Sequence, residues 1–142
     1  MSPSIALDRF QTDRLRAERI TPAHLEEISS LYRDPEVMKT LSADGNILSD
    51  DAIRQLLAEA VKHWEEYGFG FWVFRDRLDG QFVGRGGLKL YRIDDRDVIG
   101  LAYAVASRRW RRGYATEMAE ATLRIGFEHL GFPGIASWTR SP

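Results

Sequence analysis

The chain has 142 residues, a formal net charge of −1, 44% apolar and 11% aromatic residues, and no cysteine. This length fits one domain with its own core, and the apolar content is that of a folded protein. Because the net charge is near zero, nucleic-acid affinity would have to come from a local basic patch. The lack of cysteine excludes disulfides, thiolate metal sites and a cysteine nucleophile.

The sequence carries no sign of a membrane segment or a metal site. The opening segment MSPSIALDRFQTDRLR lacks the apolar stretch of a signal peptide, and no apolar run is long enough to cross a bilayer. We therefore expect a cytoplasmic protein. His24, His63 and His129 are far apart and stand at no metal-ligand spacing, so no metal is expected.

The first half of the chain is mostly helical in pattern. Residues 13–20, DRLRAERI, alternate apolar and charged side chains and predict a half-buried edge strand. Thr21-Pro22 predicts a helix start, and PEVMKTL predicts a further short helix. Ser49 begins a stronger amphipathic helix that Gly68 ends.

The second half reads as strands followed by one helix and a last strand. FGFWVFRD and QFVGRGGLKLY predict a hairpin around Leu78-Asp79-Gly80. DDRD predicts the next turn, and VIGLAYAVA predicts a strand covered on both faces. A helix from about residue 113 to 130 should end at Gly131, before a short strand in IASWT. Its charges Glu117, Glu120, Arg124 and Glu128 fall on one stripe that should face water.

Two motifs within these strands indicate packing rather than a binding site. GRGG at 84–87 opens no helix, so its glycines indicate a bulge or a close backbone approach rather than a dinucleotide loop. The aromatics of FGFWVF indicate core packing rather than base stacking. The order of elements indicates an α+β (mixed α/β) fold, with a mostly antiparallel central sheet flanked by helices.

The segment SRRWRRGYATEMAEATLRIG, residues 107–126, places four arginines around Trp110 at the start of the last helix. The first N–H groups of a helix have no internal partner and carry the positive end of its dipole. They bind phosphate well where small residues such as Gly113 and Ala115 let a ligand approach. On spacing alone, a solvated cationic loop in which Gly113 only permits a turn explains the segment at least as well.

Three segments in order resemble the Gcn5-related N-acetyltransferases (GNAT), in the branch of the ribosomal-protein alanine acetyltransferases. They are QTDRLRAERITPAHLEEISSLYRDPEVMKTL, DGQFVGRGGL and LAYAVASRRWRRGYATEMAEATLRIGFEHLGF, and together they span nearly the whole chain. The family signature Q/R-x-x-G-x-G/A is matched by Trp110, Gly113 and Ala115, with tryptophan in the first position. The resemblance moves the interpretation of the junction toward phosphate binding.

The resemblance implies an acyl-CoA N-acyltransferase fold and acetyl-CoA as co-substrate. Main-chain amides of Arg111, Arg112, Gly113, Tyr114, Ala115 and Thr116 would hold the pyrophosphate. The pantetheine arm would pair with the strand end at Tyr103, Ala104 and Val105, and an amide near Val105 would stabilise the thioester oxyanion. Arg108 and Arg109 would reach only the outer phosphate or solvent. An amine would attack the thioester directly in a ternary complex, without an acyl-enzyme.

The chain departs from the family pattern at the position of the general base. Many relatives carry a glutamate where this chain has Gly100, and Asp94, Asp95 and Asp97 fall in a turn expected to be solvated. An α-amino group has a reference pKa of about 7.7–8.0 against about 10.4 for lysine, so it needs less help to deprotonate. The missing glutamate therefore weakens a lysine acceptor more than an N-terminal one, and no catalytic residue is named.

A second departure is that the sequence stops at SWTRSP, where relatives continue with a helix and closing strands. We expect residues 1–142 to form a single N-acetyltransferase domain that is incomplete at its C-terminus, or whose open sheet edge is covered by a second copy in a homodimer. The favoured function is acetyl transfer to a protein N-terminus or a small-molecule amine. The alternatives are a non-catalytic acyl-CoA-binding or dimerisation module and, disfavoured by the net charge, RNA contact through the arginines.

Overall fold

The computed structural model describes residues 7–137, which form one six-stranded sheet in the order β1-β2-β3-β4-β5-β6. All neighbouring strands are antiparallel except β5 and β6, which are parallel. The strands are β1 Arg9–Gln11, β2 Leu15–Arg19, β3 Phe71–Asp76, β4 Phe82–Ile93, β5 Arg96–Val105 and β6 Ala136–Ser137. The helices are α1 Leu25–Tyr32, α2 Pro35–Leu41, α3 Asp50–Tyr67 and α4 Tyr114–Arg124. Short 3-10 turns lie at Pro22–His24 and Ser107–Arg109, and a π-turn at Ile125–His129 extends α4.

The predicted helices are confirmed, and their ends are fixed by local chemistry. The Thr21 side chain caps the turn that leads into α1, and Asp34 accepts from the N–H of Glu36 at 2.9 Å to cap α2. Ser49 accepts from the N–H of Ala52 at 3.2 Å, and Gly68 ends α3 in a left-handed conformation with φ 74°. Between residues 7 and 137, none of the helices is long and apolar enough to cross a bilayer.

The prediction of an edge strand at residues 13–20 is wrong, because β1 lies outside β2. Arg9 pairs with Glu18 and Gln11 with Arg16, so β2 lies between β1 and β3. Phe10 anchors β1 by packing edge-on against Trp72, with ring centroids 5.0 Å apart. A strand of three residues shows too few alternations to be recognised in the sequence.

The predicted hairpin between β3 and β4 is confirmed, and its glycines mark close approaches. A Cβ at Gly84 would lie 2.3 Å from the carbonyl oxygen of Ala104 in β5. A Cβ at Gly86 would lie 3.0 Å from the Cβ of Tyr103 and 3.2 Å from the Cε of Met118, so this glycine lets α4 lie close to the sheet.

The turn at DDRD is shorter than the sequence pattern predicts. Asp94 and Asp95 alone make it, with φ values of 50° and 62°. Arg96 already belongs to β5, and Asp97 pairs with Arg92 across the hairpin. The turn is a two-residue type that needs positive φ at both positions, and aspartate tolerates that conformation. In IASWT, only Ala136–Ser137 of the predicted strand lies within the described residues.

Helices cover both faces of the sheet. On β4, Gly86 faces Met118 of α4, whereas the side chain of its neighbour Arg85 reaches Tyr32 of α1. Because neighbouring strand residues point to opposite faces, α1 and α4 lie on opposite sides of the sheet. Trp72 and Phe74 are fully buried, which confirms the interpretation of FGFWVF as core.

An ion-pair cluster joins α1 to the sheet. Arg75 in β3 donates to both carboxylate oxygens of Glu27 at 2.6 and 2.5 Å, and to Glu18 at 2.6 Å. The hydrogen bonds with Glu27 are the main reason that the pKa of Arg75 is raised. This bidentate pair holds α1 in place above β3 and β4.

His63 is buried between α3 and the sheet in one defined protonation state. Its Nδ1 lies 2.8 Å from the carbonyl oxygen of Phe69, and its Nε2 lies 3.0 Å from the N–H of Leu90. A carbonyl can only accept and an N–H can only donate, so the ring is neutral with its proton on Nδ1. Burial, reinforced by nearby Lys89, lowers the pKa of His63.

We predict that His63 makes folding stability fall in weak acid. The unfolded chain takes up the proton more readily, because its histidine titrates at about 6.5. The contribution of His63 is therefore complete above that pH and is lost as the pH falls toward the lowered pKa of the folded state. Urea unfolding from pH 7.5 to 5 should show a steeper loss of stability for wild type than for His63→Gln. Parallel pH dependences in the two proteins would contradict this, since His24 and His129 titrate in both.

Candidate functional site

The chain turns sharply between the end of β5 and the start of α4. Arg111 and Gly113 have φ values of 63° and 79°, so both are left-handed. Gly113 is the N-cap of α4, and no side chain of the described residues caps this helix. Its first backbone bond joins the N–H of Glu117 to the carbonyl of Gly113 at 3.1 Å. The N–H groups of Tyr114, Ala115 and Thr116 therefore remain without a helical partner.

An open depression of about 370 Å³ lies at this turn. Its lining comes from the end of β5, the arginine-rich turn, the first residues of α4 and one residue of α2: Thr40, Val105, Arg109, Trp110, Arg111, Gly113, Tyr114, Ala115 and Thr116. Six of the nine residues predicted for the coenzyme are in this lining. Tyr103, Ala104 and Arg112 are not, since the first two lie farther back on β5 and Arg112 is exposed beside the depression. The structure thus brings the two predicted segments together at one place.

The end of β5 presents main-chain groups toward the side opposite β4. The N–H of Ala106 donates to the carbonyl of Val83 at 2.8 Å, and hydrogen bonding alternates along an antiparallel ladder. Tyr103 and Val105 therefore direct their N–H and C=O groups away from β4. In the described part of the chain, β6 pairs only with Gly100 and Leu101. The indole N–H of Trp110 donates to the carbonyl of Val105 at 2.8 Å, so this acceptor is already used.

The four arginines of the turn divide into two groups. Arg109 is buried, with Nη1 3.5 Å from Asp76 and Nη2 3.4 Å from Asp79, and Arg108 donates to the carbonyl of Phe82 at 3.1 Å. The prediction that these two side chains reach only phosphate or solvent is therefore wrong. The side chains of Arg111 and Arg112 are exposed, and neither forms an ion pair within residues 7–137.

Asp76, at the end of β3, ties this turn to α4. Its carboxylate accepts from the N–H of Leu78 at 2.8 Å and from the hydroxyl of Tyr114 at 2.8 Å. These two hydrogen bonds, with the nearby charge of Arg109, lower the pKa of Asp76. Because the Tyr114 side chain points into the core toward Asp76, only the backbone of Tyr114 is free to face a ligand.

A second ion pair, which no sequence pattern indicates, holds the β1–β2 hairpin against α4. The guanidinium of Arg14 bonds Glu117 at 2.7 Å and the carbonyl of Arg112 at 2.7 Å, and it lies 4.4 Å from the ring centre of Tyr114. Burial opposes the charge of Glu117, but hydrogen bonds from Thr12 and Arg14 outweigh it and lower the pKa of this carboxyl. The expectation that Glu117 faces water is therefore wrong.

Helix α2 reaches the depression through a hydrogen bond between side chains. The hydroxyl of Ser107 donates to the carboxylate of Asp34 at 2.5 Å, and Asp34 caps α2. This bond fixes the start of α2 beside the turn after β5. Thr40 then lies on the rim of the depression, although no sequence signal had marked it.

The candidates for a base are placed as the sequence predicts. Gly100 lies within β5 opposite Lys89, with no carboxylate of its own. Asp94 and Asp95 are exposed in their turn, and exposed Asp97 forms an ion pair with Arg92 at 3.3 Å. The described residues also contain no group of three or more metal-ligating side chains that could hold an ion.

Comparison with known proteins identifies the family. The sequence profile of the acetyltransferase (GNAT) domain matches residues 14–141, so the chain belongs to the GNAT acetyltransferase family. Its class of enzyme is therefore the acetyl-CoA-dependent N-acetyltransferases. The resemblance seen in the sequence and the fold that it implied are both confirmed.

The similar proteins give no single substrate. An uncharacterised protein, YkkB of Bacillus subtilis, is 28% identical over 133 residues, which are 93% of this chain and 76% of that protein. The FsC-acetyl coenzyme A-N(2)-transacetylase of Aspergillus fumigatus is 30% identical over 145 residues, which are 92% of this chain and 57% of that protein. An acetyltransferase structure from Agrobacterium tumefaciens has a TM-score of 0.80 at 18% identity, over 98% of this chain and 78% of the other.

We predict that the two groups of arginines differ in their effect on stability. Arg109→Ala should lower the free energy of unfolding by about 1.5–3 kcal/mol, because Asp76 and Asp79 lose hydrogen bonds to a charged donor. Arg112→Ala, the matched control, should change it by no more than about 0.5 kcal/mol, as is usual at the surface. Urea unfolding at pH 7.5 measures both, and equal losses would refute the division.

Proposed function

We propose that this chain transfers an acetyl group from acetyl-CoA to a primary amine, which is either a protein N-terminal α-amine or a small-molecule amine. The observation that carries the proposal is the uncapped start of α4, with its free N–H groups beside the exposed side chains of Arg111 and Arg112. Backbone donors, the positive end of a helix dipole and two cations suit a pyrophosphate.

The shape of the turn also suits a coenzyme that approaches the backbone. The only neighbour within 4 Å of a Cβ placed at Gly113 is Nη2 of Arg14, at 3.3 Å. The outer side of this residue therefore opens to the surface, where any side chain would obstruct a phosphate. Arg111, Arg112, Gly113, Tyr114, Ala115 and Thr116 would supply the amides for this group.

The thioester would then lie at the end of β5. The outward-facing groups of Tyr103 and Val105 suit the amides of the pantetheine arm, which would add to the sheet as a short strand does, and Ala104 would lie beneath it. The N–H of Val105 would stabilise the oxyanion that forms when the amine attacks the thioester carbonyl. Acetyl-CoA supplies the activated acetyl group, and the thiol of coenzyme A leaves as the amide forms. Direct attack requires no nucleophile from the chain.

Proton removal is the step for which the chain supplies least. With Gly100 where relatives carry a glutamate, the attacking amine must reach the site largely deprotonated or lose its proton to water. This favours an α-amine over a lysine. It also favours, as a second candidate, a non-catalytic acyl-CoA-binding or dimerisation module with the same fold.

The setting of the activity is also part of the proposal. We place the protein in the cytoplasm, where acetyl-CoA and amine acceptors meet. In the described part, β6 covers two residues of β5, so a homodimer in which a second copy covers more of this edge is the assembly that we favour.

We predict that acetyl-CoA binding depends on the open space at Gly113. Gly113→Glu would place a carboxylate where the phosphates should lie and should weaken binding at least about tenfold. Gly68→Glu is the matched control, since Gly68 has a similar φ of 74° but ends α3 away from the depression. Isothermal titration calorimetry measures both variants. If wild type does not bind at high micromolar acetyl-CoA, the coenzyme assignment is wrong.

We predict that turnover separates the enzyme from a binding module. Release of coenzyme A thiol should require both acetyl-CoA and an amine, and initial-rate plots should intersect, as a ternary complex requires. At pH 7.5 an α-amine should react faster than the same concentration of a lysine side-chain amine. Thiol-specific colorimetry follows the release. Acetyl-CoA binding without thiol release for any amine would favour the non-catalytic module.

A further inference from the structure

Arg85 is a buried cation on the face of the sheet opposite α4. It lies in the middle of β4 and is only 7% exposed. Its Nε and Nη2 point to the hydroxyl of Tyr32, at 3.3 and 2.9 Å. The centre of the guanidinium lies 5.0 Å from the ring of Phe71 and 5.7 Å from the ring of Tyr32.

This cation lacks a counter-ion within residues 7–137. Nη1 of Arg85 is buried and has no hydrogen-bond partner, and Arg85 forms no ion pair. The other arginines that point inward differ, because Arg75 has Glu27 and Glu18 and Arg109 has Asp76 and Asp79. A buried charge without a partner is costly to fold. A tyrosine hydroxyl and two ring faces compensate it only in part.

The side chain of Arg85 lines a small hollow between α1, α3 and the sheet. The hollow has a volume of about 50 Å³. A single water needs about 10–15 Å³ by the same measure, so the hollow has room for one carboxylate group. Its walls are largely apolar, from Ile20, Ile28, Tyr32, Leu56, Leu57, Ala60 and Phe71. Its other charged members are Lys89 and Glu59, and the exposed carboxylate of Glu59 accepts from Gln55 at 3.4 Å.

The hollow adjoins the proposed site of acetyl transfer. Arg85 pairs directly with Ala104 in the β4–β5 ladder. Side chains of directly paired residues lie on the same face, with Cβ atoms about 4.5–5.5 Å apart. Ala104 precedes Val105, whose N–H is proposed to face the thioester. Farther along β5, Gly100 and Ala102 continue the same face with little or no side chain.

From these observations we propose that Arg85 binds a carboxylate of the acceptor, so that the acceptor is a small amine that carries a carboxylate close to its amino group, as an amino acid does. The inference rests on the proposed function. The carboxylate bonds Nη1 of Arg85 in the hollow, and Lys89 adds charge at the rim. The amino group of the same molecule then lies toward β5 and the thioester. Arg85 selects the acceptor, whereas the start of α4 holds the coenzyme.

The first experiment measures binding without turnover. The ¹⁵N-labelled full chain is titrated with each of the twenty L-amino acids and, in parallel, with the carboxamide of each, and the Nε–H resonance of Arg85 is followed. At least one amino acid should shift this resonance saturably, whereas its carboxamide should not. If no amino acid shifts it, or if acid and amide shift it equally, the proposal is overturned.

The second experiment measures selectivity in turnover. For the best acceptor, kcat/KM of the acid should exceed that of the carboxamide at least tenfold in wild type. In Arg85→Met, which keeps the length of the side chain and removes its charge, the ratio should fall to near one while the Kd of acetyl-CoA is unchanged. If wild type acetylates peptide N-termini but no amino acid, or if Arg85→Met keeps the ratio, the proposal is wrong.

Two control variants test whether the charge of Arg85 is free for a ligand. Arg85→Met should unfold at no lower urea concentration than wild type, whereas Arg75→Met, which removes a paired arginine, should unfold at a lower one. If Glu59→Gln moves the Arg85 resonance as much as a saturating amino acid does, Glu59 is the counter-ion and the proposal falls. Failure of wild type to bind acetyl-CoA would instead refute the proposed function, and the amino-acid titration would still report on Arg85.

Discussion

The carboxylate of Asp76 fixes the corner from which α4 leaves the sheet. Its three partners are the N–H of Leu78 in the β3–β4 hairpin, the hydroxyl of Tyr114 in the first turn of α4, and the guanidinium of Arg109 in the turn between β5 and α4. One ionised group thus sets the distance between three elements. The depression at the start of α4 exists because these elements meet there, and the Arg14–Glu117 pair closes the same corner from the side of the first hairpin.

The chain treats the start of α4 differently from its other helix starts. Thr21, Asp34 and Ser49 each accept a main-chain N–H before α1, α2 and α3. A cap of this kind contributes about 1 kcal/mol. α4 lacks one and begins from a left-handed glycine. Local stability is given up at the one helix start that a phosphate would complete, as is common where a fold serves a ligand. Arg85 shows the same trade for a buried charge.

Features that depend on neighbours in sequence could be predicted, and those that depend on distant partners could not. The span of α3 follows from its serine cap, its apolar spacing and its terminal glycine, all within twenty residues. The burial of Arg109 depends on Asp76, 33 positions earlier, and the position of Glu117 depends on Arg14, 103 positions earlier. No local pattern distinguishes these arginines from the exposed Arg111 and Arg112. The family resemblance found most of the depression, because its signature describes the backbone of the turn rather than side-chain pairs.

The indole of Trp110 has a consequence for how the sheet meets other chains. An unpaired strand end invites any extended polypeptide to add to it, which is how sheets aggregate. Such an addition needs alternating acceptors and donors, and the bond from Trp110 removes the acceptor at Val105. The indole itself is 37% exposed and stands beside the strand like a bracket. An incoming strand would have to displace it, whereas a ligand that needs only the N–H of Val105 would not, so a single side chain protects this edge from polymerisation without closing it.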